Sequence, residues 1–241
     1  MKVTIAYIEE PPFGWTDANG TATGADLDLA DAILRAIGVT RIEHRVTTFS
    51  ELLPGVAAGR WDMNVPLFVT PERASLVAFS MPVWAIGDGF LVRTGNAKAL
   101  DSYAQFAKSR DARLGIIAGQ VQHESAKAAG VRDEQIVIFD QQADAIEAVR
   151  SGAVDAYAST ALGNRILADR IGAPLAAVDH RLEADEAEQL PIGAFSFNRN
   201  NRDLMDAVNE QLRIYLGSPD HRSRMAKFGL TPKELDPVLV R

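Results

Sequence analysis

The sequence predicts an α/β protein built from two units, each a mainly parallel sheet covered by helices. Strand-like and helix-like segments alternate along nearly the whole chain. The strand candidates are short and almost continuously apolar, as strands covered on both faces should be. A length of 241 residues suits one large domain or two moderate ones.

The first series opens with the strand VTIAYI (3–8) and the loop EEPPFGWTDANGTATG. A helix follows in DLDLADAILRAIG, with Leu27, Ala30, Ile33, Leu34 and Ile37 on one face. Asp26 stands where its N-cap is expected and Gly38 where it should stop. IEHRVT reads as a second strand, SELLPGVAAG as a short helix opened by Ser50, and WDMNVPLFV as a third apolar strand.

A second series has strands RLGIIAG (113–119), QIVIFD (135–140), VDAYAS (154–159) and LAAVD (175–179). The helices QHESAKAAG, QADAIEAVRSG and ALGNRILADRIG lie between them, each ending near a glycine. After the acidic loop HRLEADEAEQLP come the strand IGAFSFNRN and a C-terminal helix with Leu204, Val208, Leu212 and Tyr215 or Leu216 on one face. The chain is expected to cross between units near 87–93 and 191–197. This makes 1–89 plus 196–241 a discontinuous first lobe and 90–195 a continuous second one. α/β proteins bind ligands in the crevice that such an arrangement creates.

Composition narrows the function. The formal net charge is −7 and the 25 Lys and Arg are scattered, which argues against a nucleic-acid partner. With no cysteine there is no disulfide, zinc finger or thiol nucleophile. The four histidines are far apart, so neither a metal site nor a cofactor is expected. No apolar run approaches the ~20 residues of a membrane span. The N-terminus goes straight into a strand, as in a cytosolic chain or a mature one whose leader was replaced by Met.

One apolar segment carries an awkward charge: LFVTPERASLVAFSMP (67–82) contains Arg73. A buried guanidinium needs an anion. Glu72 points the other way if this backbone is extended, so a surface position, an ion pair elsewhere in the chain and a captured ligand all stay open for Arg73. Phe13 also stands out, because it follows two prolines in a polar loop, where function concentrates.

The strings PPFGWTDANGTATGADLDLADAILRAIG, FSELLPGVAAGRWDMN and TPERASLVAFSMPVW, in that order, resemble the extracellular solute-binding proteins of polar amino-acid ABC transporters. The likeness continues through DARLGIIAGQVQHESA, AIEAVRSGAVDAYAST and DAVNEQLRIYLGSPDHRSRMAKFGL. Within that family the chain looks most like the ectoine and hydroxyectoine binders. They share the EPPF motif (Glu10, Phe13), an aromatic before the T-P-x-R turn (Phe68) and a stretch like GNAKALDSYAQFAKSRDARLGIIAG.

The resemblance implies a two-lobed type II periplasmic-binding-protein fold with a two-strand hinge. It implies a monomer in the periplasm or outside the cell that hands a small zwitterion to a membrane permease. It assigns Arg73 to the ligand carboxylate and turns Phe13, Phe49 and Phe68 toward the ligand. Trp15 and Trp84 are further aromatic candidates. Glu10 would meet a cationic nitrogen, while Gln120 and Thr160 would close from the second lobe. At two positions the chain departs from amino-acid binders. Gly119-Gln120 replaces their Gly-Thr, and Thr160 replaces the acid that pairs with an α-ammonium. An ectoine- or betaine-like zwitterion, with a delocalised or alkylated cation, is therefore expected over a standard amino acid. Asp62 and Asp155 are read as structural acceptors, and Asp26 and Asp28 as capping groups. Two alternatives stay open: a cyclohexadienyl-dehydratase-like enzyme on the same fold, and the excised ligand-binding domain of a receptor.

Overall fold

The computed structural model describes residues 1–182 and 190–239. Residues 183–189, the centre of the acidic loop read from the sequence, lie outside the described residues. The chain forms two compact units, Met1–Ala85 with Pro191–Arg241, and Ile86–Leu190. The first passage through unit 1 gives β1 (Lys2–Tyr7), β2 (Trp15–Thr16), β3 (Ala22–Thr23), α1 (Ala25–Ala36) and β4 (Arg41–Val46). It continues through α2 (Phe49–Ala57), β5 (Met63–Phe68), α3 (Pro71–Leu76), β6 (Ala78–Phe79) and β7 (Trp84–Ala85). Unit 2 holds β8 (Asp88–Arg93), α4 (Tyr103–Lys108), β9 (Leu114–Ile117), α5 (Gln122–Ala128) and β10 (Ile136–Phe139). It ends with α6 (Gln142–Ser151), β11 (Ala156–Thr160), α7 (Ala161–Ile171) and β12 (Leu175–Asp179). The chain then returns to unit 1 as β13 (Ile192–Phe197), α8 (Arg202–Tyr215), α9 (Pro219–Ala226) and α10 (Pro232–Leu235).

In unit 1, β4, β1 and β5 pair in parallel, and β13 runs antiparallel to β5, β6 and β7. Every position of β5 is buried, as expected for a strand with both faces covered. The order in unit 2 is β10-β9-β11-β8-β12, with β8 antiparallel to both neighbours. Segments 87–93 and 191–197, read as crossings, therefore contain the antiparallel strand of each sheet. Each is held by ladder hydrogen bonds within one unit, while the compact units divide at 85/86 and 190/191.

Local details correct several sequence readings. The cap of α1 is Gly24, not Asp26, and the helix's first N–H groups are taken by the carbonyls of Pro12 and Phe13. Helix α2 starts at Phe49 after Thr48, one residue before Ser50. The PER segment is helical rather than extended: Pro71 opens α3, and Thr70 Oγ1 accepts from the Arg73 N–H at 3.2 Å. The roles expected of Asp62 and Asp155 hold, since Asp62 accepts from Thr4 N and Asp155 from Arg113 N and Lys98 Nζ. Asp28 instead pairs with Arg224 of α9.

His221 of α9 is fully buried in unit 1. Its Nδ1 accepts from Gly217 N at 3.0 Å, and Nε2 has no partner among the described residues. Burial, with the adjacent Arg222, pushes its pKa from 6.5 down to about 4. The unfolded chain then binds a proton that the folded chain refuses, so stability falls as pH drops from 6.5 to about 4 and levels off below. Chemical denaturation across that window should show the slope. His221→Gln, which keeps an acceptor but does not titrate, should flatten it; an unchanged slope would place the titration elsewhere.

Candidate functional site

Arg73 is the least expected buried residue of unit 1, at 6% exposure. Its position at N3 of α3 folds the side chain back against the end of β5. There Nη1 donates to the Phe68 carbonyl at 3.0 Å, and the guanidinium carbon lies 5.3 Å from the Phe49 ring centroid. A cation over an aromatic face is an electrostatically favourable pairing. Burial lowers its pKa to about 10, partly offset by Glu72, so it stays charged at neutral pH. A buried, oriented fork of this kind suits a planar carboxylate.

Trp84 gathers the other aromatics. Its ring centroid lies 5.8 Å from Phe13 and 5.3 Å from Phe68, the second pair edge-to-face at 90°. The sheet register explains this. Gly193 of β13 is opposite Phe68 on one side and Trp84 on the other. Directly opposed residues share a face of the sheet, so a row of aromatic, glycine, aromatic results. A Cβ at Gly193 would run into the six-membered ring of Trp84. Phe13, Phe68 and Trp84 thus form one wall, and Phe68 links it through its carbonyl to Arg73. Phe49 touches Arg73 and packs on the cluster of Leu52, Val56, Trp61 and Leu67. Trp15 does not join the wall; it sits edge-on to Phe228.

The neighbouring acids divide their roles. Glu9 is tied down, accepting from Thr16 N at 3.0 Å and from Thr16 Oγ1 at 2.5 Å. Glu10 is partly buried in the tight turn that presents Phe13, its carbonyl accepting from Phe13 N at 2.9 Å. Asp26, read as a cap, instead faces the wall: its Oδ1 accepts from Trp84 Nε1 at 3.1 Å. Burial holds its carboxyl well above the usual range, and the nearby Glu10 adds to the rise.

In unit 2 the parallel strands β9 and β11 end beside the two residues predicted there. Gln120 follows a left-handed Gly119 (φ 82°) and is buried, with its N–H on the Ile117 carbonyl at 3.1 Å. Thr160 ends β11 and caps α7, its Oγ1 accepting from Gly163 N at 3.0 Å. The structure adds an acid that the sequence reading missed. Asp88 is opposite Thr160 in the β8–β11 ladder. It accepts from Tyr103 Oη and from Gln122 Nε2, both at 2.8 Å, and burial raises its pKa despite those bonds. The side chain was hidden in sequence because it lies inside GDGFLVRTG, read only as a crossing. Gly193 was missed and Asp26 taken for a cap for a similar reason: their partners are more than 50 residues away.

The family model of bacterial extracellular solute-binding proteins, family 3, matches residues 3–228. A relative from Sinorhizobium fredii (strain NBRC 101917 / NGR234), the probable amino-acid ABC transporter periplasmic-binding protein y4tE, is 34% identical over 245 residues. That alignment covers 97% of this chain and 78% of the relative. Among solved structures, EhuB in complex with hydroxyectoine superposes with a TM-score of 0.86 over 99% of this chain and 94% of its own, at 24% identity. This is a likeness of fold, that of the periplasmic-binding proteins. The ancestral amino acid-binding protein AncCDT-1, a precursor of cyclohexadienyl dehydratase, gives 0.80 at 25% identity, covering 94% of this chain and 95% of that one.

The Gly193–Trp84 approach can be tested without any ligand. Gly193→Ala should cost about 1–3 kcal/mol in chemical denaturation, the range for overpacking a tight core. Adding Trp84→Leu should recover part of that loss; strictly additive losses would show that the methyl group acts elsewhere.

Proposed function

We propose that this chain, which belongs to the bacterial extracellular solute-binding proteins, family 3, captures a small zwitterion carrying a carboxylate and a delocalised or alkylated cation. The observation that carries this reading is the buried Arg73 fork joined through Phe68 to a wall of three aromatic rings. The carboxylate goes to Arg73 through two charge-assisted hydrogen bonds. The cation leans on Phe13, Phe68 and Trp84, with Phe49 behind the guanidinium and Glu10 at the rim of the wall. Gln120 and Thr160 contribute to ligand binding from the second lobe. The hydroxyectoine bound by EhuB supports a compatible solute of ectoine or betaine type as the ligand.

The loaded protein is proposed to work as a monomer outside the cytoplasmic membrane and to deliver its ligand to an ABC permease. The family description and the y4tE relative support the location and the permease. A second reading, dehydration of arogenate- or prephenate-like acids, is favoured by one observation: the likeness to AncCDT-1, a precursor of cyclohexadienyl dehydratase. Product formation from such acids would replace the binding reading.

Two measurements test the binding site. In calorimetry with ectoine, Arg73→Ala should weaken binding roughly 30- to 1000-fold, the effect of removing one member of a buried charged pair. Its thermal midpoint without ligand should remain close to wild type. Unchanged affinity would remove Arg73 from the site. Phe68→Ala should weaken ectoine and glycine betaine more than a simple carboxylate such as acetate; equal losses would contradict the aromatic wall.

A further inference from the structure

Asp26 is an odd residue to find behind an apolar wall. It is 2% exposed, and its cap position on α1 belongs to Gly24, so helix capping does not account for the side chain. Among the described residues, the one hydrogen bond of its carboxyl comes from Trp84 Nε1, at 3.1 Å. Its backbone N–H meanwhile donates to the Phe13 carbonyl at 3.0 Å. One residue therefore holds two members of the wall, Phe13 by its main chain and Trp84 by its ring.

Trp84 needs such an anchor. The face of its indole lies over Gly193, which has no side chain to grip it. Its neighbours Phe13 and Phe68 are apolar, and aromatic contacts tolerate offset. The N–H bond to Asp26 is the directional contact that ties the rotation of the indole in its own plane. A carboxyl in this place is costly, since a single hydrogen bond does not replace its hydration, and the nearby Glu10 makes its ionisation harder still. An apolar residue would fill the space more cheaply but could not orient the indole.

We propose that Asp26 is the positioning residue of the aromatic wall, fixing Trp84 and through it the contacts of Phe13 and Phe68, and so determines which cations the site accepts. The binding part of this statement rests on the ligand reading given above; the anchoring part does not.

The test uses the full chain labelled with 15N, whose three tryptophans give three indole N–H signals. Trp84→Phe assigns the signal of interest. Asp26→Asn keeps an acceptor for the indole and should leave that signal near its wild-type position. Asp26→Leu should shift or broaden it, and Asp26→Ala serves if the leucine does not fold. With ectoine as the probe, Asp26→Asn should bind close to wild type and Asp26→Leu at least about tenfold more weakly, as expected for a lost wall contact. In the Trp84→Phe background the same Asp26→Leu change should cost little further affinity. A general structural role would give the same loss in both backgrounds, and that result would overturn the proposal. So would an indole signal unmoved by Asp26→Leu. If the wild-type chain binds no ectoine, the ligand reading fails by itself, and the indole signal alone decides whether Asp26 is the anchor.

Discussion

The structure of unit 1 turns on a single position in its sheet, Gly193. The strand that returns from unit 2 lies between β5 and the short strands β6 and β7, so residues from two separate stretches of chain meet across it. Because Gly193 has no side chain, the rings of Phe68 and Trp84 meet above it at 5.3 Å, edge to face. Any larger residue would push the indole away. The wall exists because the sheet brings a gap and two aromatics into one row. Arg73 depends on the same strand end, since its anchor is the carbonyl of Phe68.

Electrostatics give the wall its chemical sense. Each buried ionisable group is held by directional neighbours and pushed by burial toward its neutral form, downward for Arg73 and upward for Asp26. The two are tied to different members of the aromatic set: Arg73 bonds to the Phe68 carbonyl, and Asp26 to the Trp84 indole. Unit 2 shows a related pattern, with Asp88 opposite Thr160. The acid missing from the end of β11 has a counterpart one strand away, held by Tyr103 and Gln122.

Particular residues show how far the sequence could be read. Arg73 was legible because a charge in an apolar run demands an explanation; Phe13 was singled out as an aromatic after two prolines in a polar loop, and the structure buries it at 7% exposure beside Trp84. The packing faces of α1 and α8 were legible from their 3.6-residue spacing, and Leu27, Leu34, Leu204 and Leu212 are buried. The helical turn at PER was not, since a six-residue helix opened by proline has too few residues to display a period. Asp26 was misread because an acid near a helix start fits capping on propensity alone. Its true partner, Trp84, is 58 residues away.

The sequence by itself determined the alternation of strands and helices, the two-unit organisation, the family likeness and the candidate residues of the wall. These follow from local periodicity and from motifs in fixed order, which a linear reading preserves. Only the tertiary structure decided that β8 and β13 run antiparallel within their sheets, that Gly193 sets Phe68 against Trp84, and that Asp26 and Asp88 are placed beside predicted site residues. Each of these is a pairing between distant segments. Strand register and burial decide such pairings, and neither leaves a signature in any short window of the chain.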